Sequence, residues 1–148
     1  MLDYQAQKID CLVTVISKSD DGSGRSTVPK LNGNWYRPHV VVGDPQQREA
    51  KLITHTYEIE KPDGSKVLET SDKWIDEEYL GVSFDTAPDD VDLDHSFRAK
   101  LALMYWPNLK YENLTAGATF TIREGGTVVG FGEVIGWLPP EPLNRVEI

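Results

Sequence analysis

Between residues 126 and 136 the chain alternates in a way that few folds can use. Gly126, Gly130, Gly132 and Gly136 fall on one parity of the run TVVGFGEVIGW and its approach, with Val128 and Val134 between them. Val129, Phe131, Ile135 and Trp137 take the other parity. In an extended strand successive side chains point to opposite faces, so one face here is nearly bare. A bare face lets another backbone or a large ring lie close, and it eases the coiling that closes a sheet into a barrel. The preceding TFTIRE puts Phe120 and Ile122 on one side and Thr119, Thr121 and Arg123 on the other, and Glu124–Thr127 supplies a turn. The expectation is a closing β-hairpin.

Glycine clusters also cradle phosphates, and that alternative fails on spacing. A dinucleotide fingerprint needs G-x-G-x-x-G opening a helix after a strand. Here GFGEVIG has three residues after its second glycine, and Trp137-Leu138-Pro139-Pro140 follows in place of a helix. A phosphate loop needs Gly-Lys-Ser/Thr, which occurs nowhere in the chain. No cofactor is expected.

The rest reads as strand, turn, strand. KIDCLVTVISK alternates, with Ile9, Cys11, Val13 and Val15 on one face. A loop rich in turn formers, SDDGSGRSTVPKLNGN, leads to WYRPHVVV, a strand whose start Pro38 confines to an edge or bulge. HTYEIEKPDGSKVLET is the strongest hairpin signal, two alternating runs around Pro62-Asp63-Gly64-Ser65. EEYLGVSF is another strand. SFRAKLALMYW aligns Phe97, Ala99, Leu101 and Leu103 on one face until Pro107 stops it. From Trp137 on, WLPPEPLNRVEI reads as an irregular, extended tail. At 148 residues, without repeats or a composition break, one all-β domain over 1–148 is expected.

Composition narrows the chemistry. Twenty-four acids against fifteen bases give a net charge of −9, which disfavours phosphate backbones and anionic membrane surfaces at long range. The first ten residues lack the cationic and apolar regions of a signal peptide, and no apolar run approaches a membrane span, so a cytoplasmic protein without membrane contact is expected. Asn113-Leu114-Thr115 is then a chance glycosylation sequon. The lone Cys11 fits a buried small hydrophobe. Asp90, Asp92 and Asp94 open like a calcium loop, but its sixth position is His95 and its twelfth Leu101, so a solvated acidic loop is the better reading. His39, His55 and His95 show no ligand spacing, and no serine stands in a nucleophile motif. Neither a catalytic set nor a metal site is expected. Trp35, Trp74, Trp106 and Trp137 suit either interface anchors or packing at a barrel end.

These motifs together resemble a known family. FTIREGGTVVGFGEVI, with its core Ile122-Arg123-Glu124-Gly125-Gly126, is similar to the closing hairpin of the C-terminal β-barrel, domain 3, of bacterial elongation factor Tu. VISKSDDGSGRSTVPKLNGNWYRPHVVV resembles that domain's first strand, Gly-Arg loop and Tyr-Arg-Pro entry to the second strand, here Tyr36-Arg37-Pro38. SFRAKLALMYWP resembles the strand before the hairpin. The likeness spans about residues 9–42 and 96–137. It implies a closed Greek-key β-barrel, with an added β-hairpin element in an insertion of about residues 43–95.

The same resemblance bears on function. No P-loop and no guanine-reading Asn-Lys-x-Asp is present, so GTP hydrolysis is not expected. In the family this barrel helps hold the T-arm of aminoacyl-tRNA and packs against protein partners. Arg25 and Arg123 match positive family positions, while Thr127, Ser26 and Gly43-Asp44-Pro45-Gln46-Gln47 replace residues that would serve RNA. A surface tracking a phosphate backbone needs several cations. The expectation is a non-catalytic module that engages a protein partner, a translation factor or a toxin that uses the factor. The alternative is an RNA binder working through Arg25, Arg37, Lys110 and Arg123. Candidate contact residues are Arg25, Tyr36, Arg37, Trp106, Arg123 and Glu124.

Overall fold

A computed structural model describes residues 7–139, all β apart from one short 3-10 helix, Leu109–Asn113. The strands are β1 (Lys8–Val15), β2 (His39–Val42), β3 (Leu52–Glu60), β4 (Lys66–Ile75), β5 (Leu80–Thr86), β6 (Ser96–Leu103), β7 (Thr119–Glu124) and β8 (Thr127–Trp137). Six of them close an antiparallel barrel in the order β1-β6-β5-β2-β7-β8, with β8 returning to β1. Within it β2, β5 and β6 lie side by side in chain order and β1 returns beside β6, which is a Greek key. β3 and β4 form a separate two-stranded sheet. No helix among the described residues is long and apolar enough to cross a membrane.

Alternation builds the barrel interior as expected. Ile9, Cys11, Val13 and Val15 of β1 face Phe97, Ala99, Leu101 and Leu103 of β6, all buried. Phe84, Phe120 and Ile122 complete the core from β5 and β7. Tyr111, from the 3-10 helix, plugs one end, donating its hydroxyl to the Gly81 carbonyl at 2.6 Å.

The glycine run behaves differently from a strict two-faced strand. Two bulges interrupt β8: the pairing with β7 slips between Ile122 and Arg123, leaving Val129 extra, and the pairing with β1 slips between Asp10 and Cys11, leaving Ile135 extra. A bulge switches the facing of the residues beyond it. Val129 and Trp137 therefore pack with the core alongside Val134, although they belong to the opposite parity. Only Gly130 and Gly132 are pressed. A Cβ on Gly130 would lie 2.5 Å from the Thr14 carbonyl oxygen, and one on Gly132 would lie 2.6 Å from the Leu12 carbonyl oxygen and 2.7 Å from the Phe120 ring. Around Gly126 and Gly136 the space is open.

Three boundaries differ from the expectation. β2 begins only at His39, because Pro38 has no N–H to donate; Tyr36 and Pro38 still accept from Phe84 and Val82. β6 ends at Leu103, where the chain turns so that Tyr105 can lie against Gly81. The added element is smaller than 43–95, since β5 is a barrel strand with five consecutive buried residues; what lies outside the barrel between β2 and β5 is residues 43–79. The hairpin turn forms at Lys61–Ser65, with Gly64 at φ +84° and Asp63 accepting from the Ser65 N–H at 2.9 Å. Past Pro139 the expected tail lies outside the described residues, as do the side chains of His55 and Trp74.

Substituting alanine at Gly132 should therefore cost about 1–3 kcal/mol, since the obstructing atoms include backbone. Gly136→Ala should be neutral or slightly stabilising. Urea unfolding midpoints of the two variants check this, and equal midpoints would remove the close-approach account.

Candidate functional site

Outward-facing positions on β7 are where the inserted segment meets the barrel. Arg123 points away from the core yet is fully buried. Its Nε donates to Thr121 Oγ1 at 2.8 Å, and its two terminal nitrogens donate to the Glu77 carboxylate at 2.9 and 3.1 Å. Nη1 also reaches the Tyr79 hydroxyl at 3.2 Å, and the guanidinium stands 5.6 Å from that ring's centroid. Tyr79 in turn packs on His39, which pairs with Arg123 across the β2–β7 ladder.

Glu77 gathers both limbs of the insertion. It accepts from the Lys51 N–H at 2.5 Å and from Gln47 Nε2 at 3.0 Å, besides its two bonds from Arg123. Burial pushes the Glu77 carboxyl up, but the hydrogen bonds from Arg123, Lys51 and Gln47 outweigh it and hold the group below the usual carboxylate range. Burial would lower the Arg123 pKa, yet Glu77 and Tyr79 raise it above the ordinary arginine value. The pair is a bidentate, charge-assisted latch between barrel and insertion.

Three of the expected contact residues meet beside it, at the hairpin turn. Arg25 and the Tyr36 hydroxyl both donate to Glu124 Oε2, and the Arg25 guanidinium lies 5.5 Å from the centre of the Tyr36 ring. Desolvation, then the bond to Glu124, push the Tyr36 phenol well above its ordinary range, so it stays a neutral donor. Loop geometry places Arg25: its N–H donates to the Ile16 carbonyl, and Gly24 before it has φ +90° with the Ser17 carbonyl in the space a Cβ would need. Arg37 is exposed and donates Nε to the Asn34 carbonyl at 3.1 Å. Next to it Trp35 is 72% exposed, with Lys30 Nζ 5.1 Å from its ring centre.

Trp106 is elsewhere. It stacks edge-on against Trp137, 5.1 Å between ring centres, at the opposite end of β8 from the turn. Trp137 donates Nε1 to the Leu114 carbonyl at 2.6 Å. The expected set thus divides: Arg25, Tyr36 and Glu124 assemble, Arg37 is the exposed neighbour, Trp106 is remote, and Arg123 is withdrawn from the surface. Sequence reading missed Glu77 and Tyr79. Their signal was the acidic step IDEEY just before a barrel strand, which has no meaning until the fold sets it against β7.

Chemically the cluster is a set of satisfied donors and acceptors. Cys11 is fully buried, and its thiol is pushed up to about 12 by desolvation and by Asp10, so it carries no thiolate at neutral pH. Among the described residues no group of three or more His, Cys, Asp or Glu side chains could hold a metal ion. Compared with known proteins, the chain matches no family model and no curated protein sequence.

Glu77→Gln leaves a buried guanidinium without its counter-charge and should cost about 3 kcal/mol. The double variant Arg123→Met/Glu77→Gln should lose less than the two single losses added together. Because the folded Glu77 pKa lies below the unfolded one, the stabilisation is complete above the unfolded value, about 4.3, and is lost as pH falls through the folded value. Denaturant midpoints from pH 6 to 3 should fall more steeply for the native protein than for Glu77→Gln; parallel curves would overturn the assignment.

Proposed function

We propose that the chain is a non-catalytic protein-binding module that mimics the C-terminal barrel of elongation factor Tu. Its partner would be a protein connected with translation or a toxin that uses the factor. The closed Greek-key barrel and the Ile122–Gly126 hairpin motif support the likeness.

One observation favours protein over RNA. Of the four cations that an RNA surface would use, three are engaged by carboxylates of the chain itself: Arg25 by Glu124, Lys110 by Glu78, and Arg123 by Glu77. Arg123 is also out of reach of any phosphate. Cations already paired with carboxylates release few counterions on binding a backbone, and Arg37, the one of the four in no ion pair among the described residues, does not make a tracking surface alone. Trp35 and Arg37, side by side and exposed, are the residue types that dominate protein interfaces. In this reading the Arg25–Glu124–Tyr36 cluster holds that loop in place, and Trp35 and Arg37 make the contact.

Native protein as bait should retain a translation factor or a factor-directed toxin from lysate, and Trp35→Ala/Arg37→Ala should weaken that binding by at least tenfold. Fluorescence anisotropy with aminoacyl-tRNA should give no saturable binding at low salt. Saturable binding that falls steeply with salt would replace the protein-binding reading with an RNA one.

A further inference from the structure

The barrel's outer wall over β2, β7 and β8 is covered where an antiparallel sheet ordinarily meets solvent. Val41 pairs with Thr121 and Thr121 with Phe131, a cross-strand row that points away from the core. Val41 is only 5% and Thr121 1% exposed. Arg123, two residues on, is buried on the same face. The insertion lies over them: the Arg48 guanidinium stands 5.4 Å from the centre of the Phe131 ring, Glu77 holds Arg123, and Glu49 bridges to Thr127.

These ties are few and mostly polar. An exposed Lys110–Glu78 ion pair adds another, and no residue of the insertion joins the barrel's core cluster. Between the root of the ribbon and the barrel lies a cleft of about 440 Å³, lined by Leu52 and Ile75, both about half exposed, and by Gly126 and Val128 of the barrel. Inside the insertion the bonds are its own: β3 pairs with β4, the Asp76 N–H donates to the Lys51 carbonyl at 2.8 Å, and the Lys51 N–H donates to Glu77. Gly43 is still tied to β7, its N–H donating to the Thr119 carbonyl at 3.0 Å, and β5 resumes the barrel at Leu80. A segment that keeps its own hydrogen bonds and shares little apolar surface with its neighbour opens at lower free energy than the whole protein. Lifting it hydrates Arg123 and Glu77 together, so neither charge stays buried without the other.

We propose that residues 44–78 form a strap, hinged at Gly43 and Tyr79, that lifts as one unit from the still-closed barrel and bares Val41, Thr121, Arg123 and Phe131. Shut, the strap hides a patch with an arginine and an aromatic ring, residue types enriched where proteins meet. Trp35 and Arg37 lie outside this patch, so the strap gates a second face.

The test sets two openings side by side. Phenylglyoxal modification of Arg123, followed by peptide mass spectrometry and scaled by the exposed Arg37, reads the lifted population; hydrogen exchange of the most protected barrel amides reads global unfolding. In the native protein the lifted population should exceed the unfolded one at least tenfold. It should also respond less steeply to urea, because lifting exposes less surface than unfolding. Gly132→Ala, which weakens the barrel and not the strap, should speed barrel exchange and leave Arg123 modification unchanged. Glu77→Gln should speed Arg123 modification at least tenfold. Modification of Arg123 that keeps pace with barrel exchange in the native and Gly132→Ala proteins would overturn the strap, as would equal modification rates in native and Glu77→Gln proteins. An unreactive Arg123 beside a fully modified Arg37 would overturn it as well. The native and Gly132→Ala measurements decide the matter even if Glu77→Gln fails to fold.

Discussion

The barrel closes where β8 comes close enough to β1 for carbonyl oxygens of Leu12 and Thr14 to occupy the space a side chain would need. Gly130 and Gly132 make that approach possible. The last strand could not otherwise seal the ladder, and an open sheet would expose two edges and the core between them. The Phe120 ring fills the space that Gly132 leaves on the inside, so one bare position serves both the backbone contact and the core. Closure then fixes the register that presents Arg123 outward beside β2, and everything built on the outside of β7 depends on it.

Once β7 is in place, the insertion is held by the Arg123–Glu77 ion pair and by a backbone bridge from Glu49 to Thr127 of β8, and none of its residues joins the barrel's core cluster. Glu77 is the common acceptor for Arg123 of the barrel and for Lys51 and Gln47 of the outgoing limb. A carboxylate can accept several donors at once, which lets a single residue tie three chain segments together. The same bond removes a cation from the surface. Anchoring the acidic insertion thus takes up the Arg123 charge inside the molecule. The arm beyond the latch exposes apolar side chains on both of its faces, Ile53 on one and Leu52, Leu68 and Ile75 on the other.

Legibility in the sequence varied with how local the physics was. The core faces of β1 and β6, the β3–β4 hairpin around Asp63-Gly64 and the closing hairpin all arise from period-two alternation and turn chemistry, which neighbours in the chain decide. The facing of Val129 and Trp137 was not legible, because each depends on a bulge, and a bulge is set by the partner strand's register. Glu77 and Tyr79 were invisible for the same kind of reason: their partner lies some forty residues downstream, and nothing in IDEEY marks which carboxylate will be buried. Of the expected contact residues, the meeting of Arg25, Tyr36 and Glu124 required the barrel to bring a loop, a pre-strand segment and a turn to one end.

The amino-acid order by itself determined that this is an all-β chain with a glycine-rich closing hairpin, an acidic net charge and no Gly-Lys-Ser/Thr motif, since strand periodicity, turn residues and net charge are properties of short stretches and of composition. Tertiary structure alone decided which glycines are pressed, which arginine is hidden and which stays in solvent. Those outcomes depend on atoms brought together from distant parts of the chain, and contact at a distance has no signature in spacing.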